Sequence, residues 1–192
     1  KRRPRSSVPS SLICTTGCMS GEIPRALAQG REKHARELLD WYFEVFGRDR
    51  FFFELQHHEI PELKQVNQAL LELAPKYQAR VVATNDVHYV YPEEADLQDV
   101  MLCIQTGSVR SDPDRMRMSD VSYYLRSPDE MAELFRGVDG AIENTLWIAE
   151  RAEVDLDFGG YRLPPFEVSG GDTSESYLRK LCTDGLEKRY GP

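Results

Sequence analysis

The stretch Ala79–Tyr89, ARVVATNDVHY, begins as an apolar, β-branched run and ends with an acid and an imidazole two positions apart, Asp86 and His88. In an extended strand Val82, Thr84, Asp86 and His88 share one face, and Val81, Ala83, Asn85 and Val87 share the other. One face therefore turns polar as the strand leaves the core. A carboxylate with a neutral imidazole is a common pair of ligands for a divalent cation, and the carboxyl end of parallel strands is the usual place for such chemistry. Both residues also have ordinary uses. Asp at a strand end caps turns or the next helix, and a single His is commonly a hydrogen-bonded or solvated side chain.

Two other segments end in a similar way. SSLICTTGC is a short apolar run that breaks at Gly17 and leaves Cys18 at its carboxyl end, and Arg50–His57, RFFFELQH, reads as a buried strand followed by His58. Between these strands lie two amphipathic helices. One runs from Arg31 to Phe46, with Ala35, Leu38, Leu39, Tyr42 and Phe46 at helical spacing and Gly47 as its stop. The other opens at Pro61 and carries Val66, Leu70, Leu73 and Ala74 as its stripe. Strands alternating with helices imply parallel pairing through right-handed crossovers, because each helix must return the chain to the same edge of the sheet. All three strand ends then meet on one rim, bringing Cys18, His57, His58, Asp86 and His88 together. Polar residues are expected at any strand end, so the coincidence of three carries more than any one. Cys18 by itself reads as a small buried residue.

The second half is mainly helical. A helix from Pro92 to Ile104 has an acidic first turn, and SDPDRMRMSD is a turn-rich loop. After the extended run SYYLR, Ser127-Pro-Asp-Glu130 supplies a cap, a proline at the first helical position and a capping-box acid, and the helix continues through Met131, Leu134 and Phe135. A further helix covers Ala141–Ala152, with Ile142, Thr145, Leu146, Ile148 and Ala149 as its expected buried face. DFGGYRLPPFEVSGGDTSESYL is too rich in Gly and Pro for a regular element. Asp172 or Thr173 then caps a last helix through Tyr190, whose Tyr177, Leu178, Leu181 and Leu186 are expected to dock on something.

Of the 192 residues 41% are hydrophobic, enough to bury a core. There are 24 basic and 32 acidic residues, a formal charge of −8; without Lys1, Arg2, Arg3 and Arg5 the body holds 20 against 32, or −12. That balance excludes simple electrostatic gripping of nucleic acid, although clustered carboxylates can hold cations that meet phosphate. Cys14, Cys18, Cys103 and Cys182 form neither a disulfide scaffold nor a paired zinc ribbon, which points to a reducing, cytoplasmic compartment. No apolar run is long enough to span a bilayer. No Walker loop, GxGxxG turn, GxSxG elbow or HExxH helix is present.

The blocks LICTTGCMSGEIPRAL, FFFELQHH, VVATNDVHYV, VMLCIQTG, DPDRMRM, YYLRSPDEMAELF, ENTLWIAERAEV and FGGYRLPPFEV, in this order and spacing, resemble the family of bacterial DNA polymerase III alpha subunits. The closing YLRKLCTDGLEKRYG resembles the passage out of that family's amino-terminal domain, so the likeness runs from Leu12 to Gly191. It implies an α/β fold: a partial distorted (βα) barrel with parallel strands, of the polymerase-and-histidinol-phosphatase (PHP) type, followed by a mainly helical carboxyl-terminal segment. On that basis residues 1–11 are a flexible basic tail, 12–110 the second half of the barrel, 111–160 its helical completion, and 161–192 a connector and helix towards a polymerase core.

The resemblance further implies Asp86, His88 and Cys18 as ligands of Zn²⁺ or Mn²⁺, in a site that hydrolyses phosphoesters or acts as a 3′ to 5′ exonuclease; His58, close to the same rim, is a candidate for supporting a ligand rather than being one. Two family features are not found: the opening HxH strand with its further ligands, and the aspartates that bind Mg²⁺ for nucleotide addition. KRRPRSSVPSS does not resemble the family's preceding helix. The expectation is a fragment of a DNA-directed DNA polymerase that neither polymerises nor hydrolyses DNA alone, and that meets primer–template and other replisome subunits through the full-length protein. Two other readings stand beside it, a non-catalytic scaffold domain of the polymerase and a free-standing PHP phosphoesterase. GGYRLPPF followed by YLRKLCTDGL weighs against the latter. Open sheet edges and an uncovered apolar face would make the isolated fragment marginal or prone to association.

Overall fold

Three consecutive phenylalanines set the centre of the sheet. In the computed structural model, which describes residues 12–154, 159–160, 166–168 and 170–191, strand β2 (Phe51–Leu55) lies between β1 (Cys14–Thr15) and β3 (Arg80–Ala83). Both pairings are parallel, with Thr15 opposite Phe52 and Leu55 opposite Ala83. Phe51, Phe52 and Phe53 are all fully buried, which requires cover on both faces, as is usual for a parallel sheet.

Helices α1 (Glu22–Ala28), α2 (Glu32–Phe46) and α3 (Pro61–Tyr77) supply one side of that cover. Their apolar stripes, among them Ile23, Leu38, Leu39, Val66 and Leu70, join Phe51, Phe53 and Leu55 in one core. Gly47 ends α2 with φ +75°, a conformation open to glycine at no steric cost. On the other side Trp147 of α6 (Glu143–Ala149) sits 5.5 Å from the Phe52 ring, with the Arg80 guanidinium 4.0 Å above the indole. The outer edge of β3 is closed as well: the Asn144 amide donates to the Val81 carbonyl at 2.7 Å, and the Ala83 N–H donates to Ala141 O at 2.9 Å.

The alternation of strand and helix, the parallel sheet and the α/β class agree with the sequence reading; three details differ. Helix α1 was not expected, because Pro24 disguises it; proline is tolerated in a first helical turn, where its missing N–H has no intrahelical partner. Helix α6 does not bury the stripe Ile142, Thr145, Leu146, Ile148 and Ala149. Leu146 is 62% exposed, while Asn144 is buried, because its amide bonds to the edge of β3 and turns Asn144 and Trp147 towards the sheet. Strand β3 ends at Ala83, so the period-two alternation does not extend to Asp86 and His88; Asp86 adopts φ +45° instead.

After β3 come a 3₁₀ turn (Pro92–Glu94), α4 (Ala95–Thr106) and α5 (Pro128–Leu134). The Ser127 hydroxyl accepts from the Glu130 N–H, and the Glu130 carboxylate accepts from the Ser127 N–H at 2.8 Å, forming the expected capping box. Ser127→Ala is expected to cost about 1 kcal/mol in chemical denaturation, and Ser127→Asp to restore most of it.

The chain divides into two compact units, Lys1–Ala152 and Glu153–Pro192. Within the second, Thr173 caps α7 (Ser174–Tyr190), and Leu178, Leu181 and Leu186 are more than half exposed. The expected basic tail, residues 1–11, and much of the connector, 155–158, 161–165 and 169, lie outside the described residues. Among those described, no helix is long and apolar enough to cross a membrane.

Candidate metal centre

The three strand ends share one rim, and a polar crossbar lies beneath it. Glu54, the one charged residue of β2, accepts from the Thr15 hydroxyl at 2.5 Å, from Thr84 at 2.6 Å and from the Gln56 amide at 3.0 Å. A single carboxylate thus ties the ends of β1, β2 and β3 together. Burial, with Glu54 nearby, raises the pKa of the Cys14 thiol, which packs against the hydrophobic core.

Cys18 follows β1 in a tight turn. Gly17 has φ +75°, and the Gly21 N–H donates to Cys18 O at 2.8 Å. Gly21 itself has no room for a side chain, since a Cβ there would lie 2.5 Å from the Thr16 carbonyl. The Cys18 thiol is half-buried.

The segment after β3 is held by a second ribbon that sequence reading took for a plain extended run. Asn85, buried, donates to Tyr124 O at 2.7 Å and Ser122 O at 3.0 Å, and its own carbonyl accepts from Arg126 at 2.9 Å. The His88 N–H donates to Tyr123 O at 2.8 Å, and Tyr89 pairs with Tyr124 as an isolated parallel bridge. These bonds hold Asp86 in its left-handed conformation, which for a non-glycine residue needs surrounding structure to persist.

That conformation turns the Asp86 carboxylate towards His88. Asp86 Oδ1 and His88 Nε2 are 3.7 Å apart, and the two side chains are 36% and 39% exposed. The separation is too long for a hydrogen bond. Two donors each about 2.0–2.2 Å from one cation sit roughly 3–3.5 Å apart, so a few tenths of an ångström of closing would place both in one coordination sphere. The pair fits two ligands of a divalent cation. Cys18 is not gathered with them: among the described residues no group of three or more His, Cys, Asp or Glu side chains stands close enough to hold a metal ion.

His58 lies behind the pair, 2% exposed, with its ring stacked on Tyr123 at 3.9 Å. Its Nδ1 is 2.7 Å from Ser122 Oγ, and the Ser122 hydroxyl is bonded to Asp120. Burial, the largest influence, lowers the pKa of His58, although nearby Asp120 opposes it. Burial also raises that of the Asp120 carboxyl, but hydrogen bonds from the Ser122 hydroxyl and the Ser122 and Glu59 amides outweigh it, and the group falls below its usual range. Sequence reading missed Glu54, Asn85, Asp120, Ser122 and Tyr123. Only Glu54 carried a signal, as a charge inside an otherwise apolar strand.

The family described as the PHP domain matches residues 6–58, which include β1, β2 and Cys18. Over 93% of its length the chain aligns at 41% identity with DNA polymerase III subunit alpha of Thermus aquaticus. The chain is a relative of the DNA polymerase III alpha subunits. The corresponding subunits of Mycobacterium tuberculosis and Campylobacter jejuni are 37% and 32% identical, again over 93% of the chain. The alignments extend beyond the PHP match through Asp86, His88 and the helical second half. The chain spans 15–17% of the length of these polymerase subunits.

Proposed function

We propose that this chain is the rim-bearing part of the PHP domain of a replicative DNA polymerase alpha subunit, and that Asp86, His88 and Cys18 contribute to a divalent-cation site for phosphoester hydrolysis. The observation that carries this reading is the Asp86–His88 pair. Its donors converge at 3.7 Å, beyond hydrogen-bonding range and near the spacing of two ligands on one cation. A Zn²⁺ or Mn²⁺ bound there would neutralise phosphate charge and lower the pKa of a bound water.

The chain's own groups have separate tasks on this reading. Asp86 brings negative charge to a partly exposed rim, the amide bond to Tyr123 holds the backbone that presents the His88 imidazole, and the Glu54 crossbar keeps the three strand ends in register. Catalytic zinc sites usually take three protein ligands, so the pair needs further donors, Cys18 first and others from elsewhere in the subunit. DNA primer–template and replisome partners would be reached through that larger protein in the cytoplasm, as would the Mg²⁺ of a polymerase core. With a net charge of −8 this chain is not itself a phosphate-gripping surface.

A second reading, a non-catalytic scaffold, is favoured by one observation, the absence of a gathered three-donor group among the described residues. The assay that separates the two is degradation of single-stranded DNA by the full-length subunit with Mn²⁺. The metal-site reading expects activity that falls at least about a hundredfold in Asp86→Asn. Absence of activity, with unchanged metal content in Asp86→Asn and His88→Ala, selects the scaffold.

A further inference from the structure

We propose that His58 is a positioning residue for His88, locked by an Asp120–Ser122–His58 hydrogen-bonded chain and acting through Tyr123. The direction of each proton follows from the acceptors. The Asp120 carboxylate only accepts: Oδ1 takes the Ser122 hydroxyl proton and, at 2.7 Å, the Ser122 N–H, and Oδ2 takes the Glu59 N–H at 2.6 Å. With its proton committed to Asp120, the Ser122 oxygen can only accept from the ring nitrogen 2.7 Å away. Nδ1 of His58 therefore carries a proton, and the buried Nε2, with no hydrogen-bond partner among the described residues to accept a second one, is left as a lone pair, the Nδ1–H tautomer.

A ring fixed in this way holds Tyr123 on two sides. His58 and Tyr123 stack at 3.9 Å with planes 12° apart, and Tyr123 meets His88 edge-on at 5.7 Å and 82°. The Tyr123 carbonyl also accepts from the His88 N–H at 2.8 Å. Any rotation of His58 would displace the ring and strand that set the position of His88. Burial lowers the pKa of His58 and so favours the neutral ring, consistent with a single tautomer. The geometry stands by itself; its functional meaning rests on the reading of Asp86 and His88 as metal ligands.

The test is nitrogen NMR of the histidine rings in the metal-free 192-residue chain. His58 is expected as the Nδ1–H tautomer with an unprotonated Nε2. Ser122→Ala is expected to mix the tautomers and shift the His88 ring signals, and Ser122→Thr, which keeps the hydroxyl, to restore both. Zn²⁺ affinity measured in parallel should fall about tenfold in Ser122→Ala and recover in Ser122→Thr, the scale seen when partners behind a ligand are removed. An Nε2–H or doubly protonated His58 in the wild-type chain overturns the proposal, even if Ser122→Ala fails to fold. So does a folded Ser122→Ala whose His88 signals stay in place. If the wild-type chain takes up no Zn²⁺ while the NMR result holds, the metal reading fails and the positioning of His88 stands.

Discussion

Phe53→Ala is expected to destabilise the first unit by about 3–5 kcal/mol, the cost of emptying a ring-sized site in a core that cannot collapse around it. Phe53 is fully buried, and its ring lies 6.0 Å from Phe43, 6.3 Å from Phe51 and 6.4 Å from Tyr77, so three separate elements lose a neighbour at once. At roughly 2–4 °C per kcal/mol for a protein of this size, Tm should fall by about 6–20 °C. Leu146→Ala is the control. Leu146 is 62% exposed, and its removal should stay within about 0.5 kcal/mol. A large loss from Leu146→Ala in the isolated chain would mean that α6 buries the stripe its apolar spacing suggests.

That contrast marks how far the sequence could be read. The order of strands and helices follows from local signals: FFFEL between turn residues, Pro61 opening α3, Gly47 closing α2 and Ser127 with Glu130 capping α5. These need only neighbouring residues. The orientation of α6 was not legible because it depends on the Asn144 amide finding the carbonyl of Val81, 63 positions earlier in the chain. The apolar residues of α7 show the same limit: their spacing identifies a helix face, yet among the described residues Leu178, Leu181 and Leu186 stay more than half exposed.

The site divides in the same way. Asp86 and His88 were recognisable by type and spacing, and the structure brings them together. It does so by a route that strand alternation does not describe, a left-handed residue locked through Asn85 to a ribbon at 122–126. Asp120, Ser122 and Tyr123 carried no signal in a loop of ordinary turn composition, because their role comes from pairing with His58 and His88 across the fold. Cys18 was placed by strand end and family likeness; the structure puts it at the end of β1, separated from β3 by the whole width of β2.

Removing both proposed ligands should have the largest functional effect. Asp86→Asn with His88→Ala is expected to weaken Zn²⁺ or Mn²⁺ binding by more than about a hundredfold, since loss even of a group that only supports a ligand costs about 10–100-fold. Stability without metal should change by less than about 1 kcal/mol, because both side chains are over one-third exposed and their mutual contact exceeds hydrogen-bond distance. Calorimetric titration together with metal-free denaturation separates the two effects. Equal affinity in the wild-type chain and the double variant would place any bound metal elsewhere.

On the proposed reading Asp86 and His88 hold a divalent cation, and Cys18, which the structure does not gather with them, must move onto it from the end of β1. Cobalt(II) titration followed by absorption spectroscopy tests this reading most directly, because a thiolate ligand adds a charge-transfer band that oxygen and nitrogen ligands do not. The account expects that band on cobalt binding to the wild-type protein, its loss in Cys18→Ser, and the loss of binding in Asp86→Asn with His88→Ala. Absence of cobalt uptake, or uptake with no thiolate band in the wild-type protein, would contradict it.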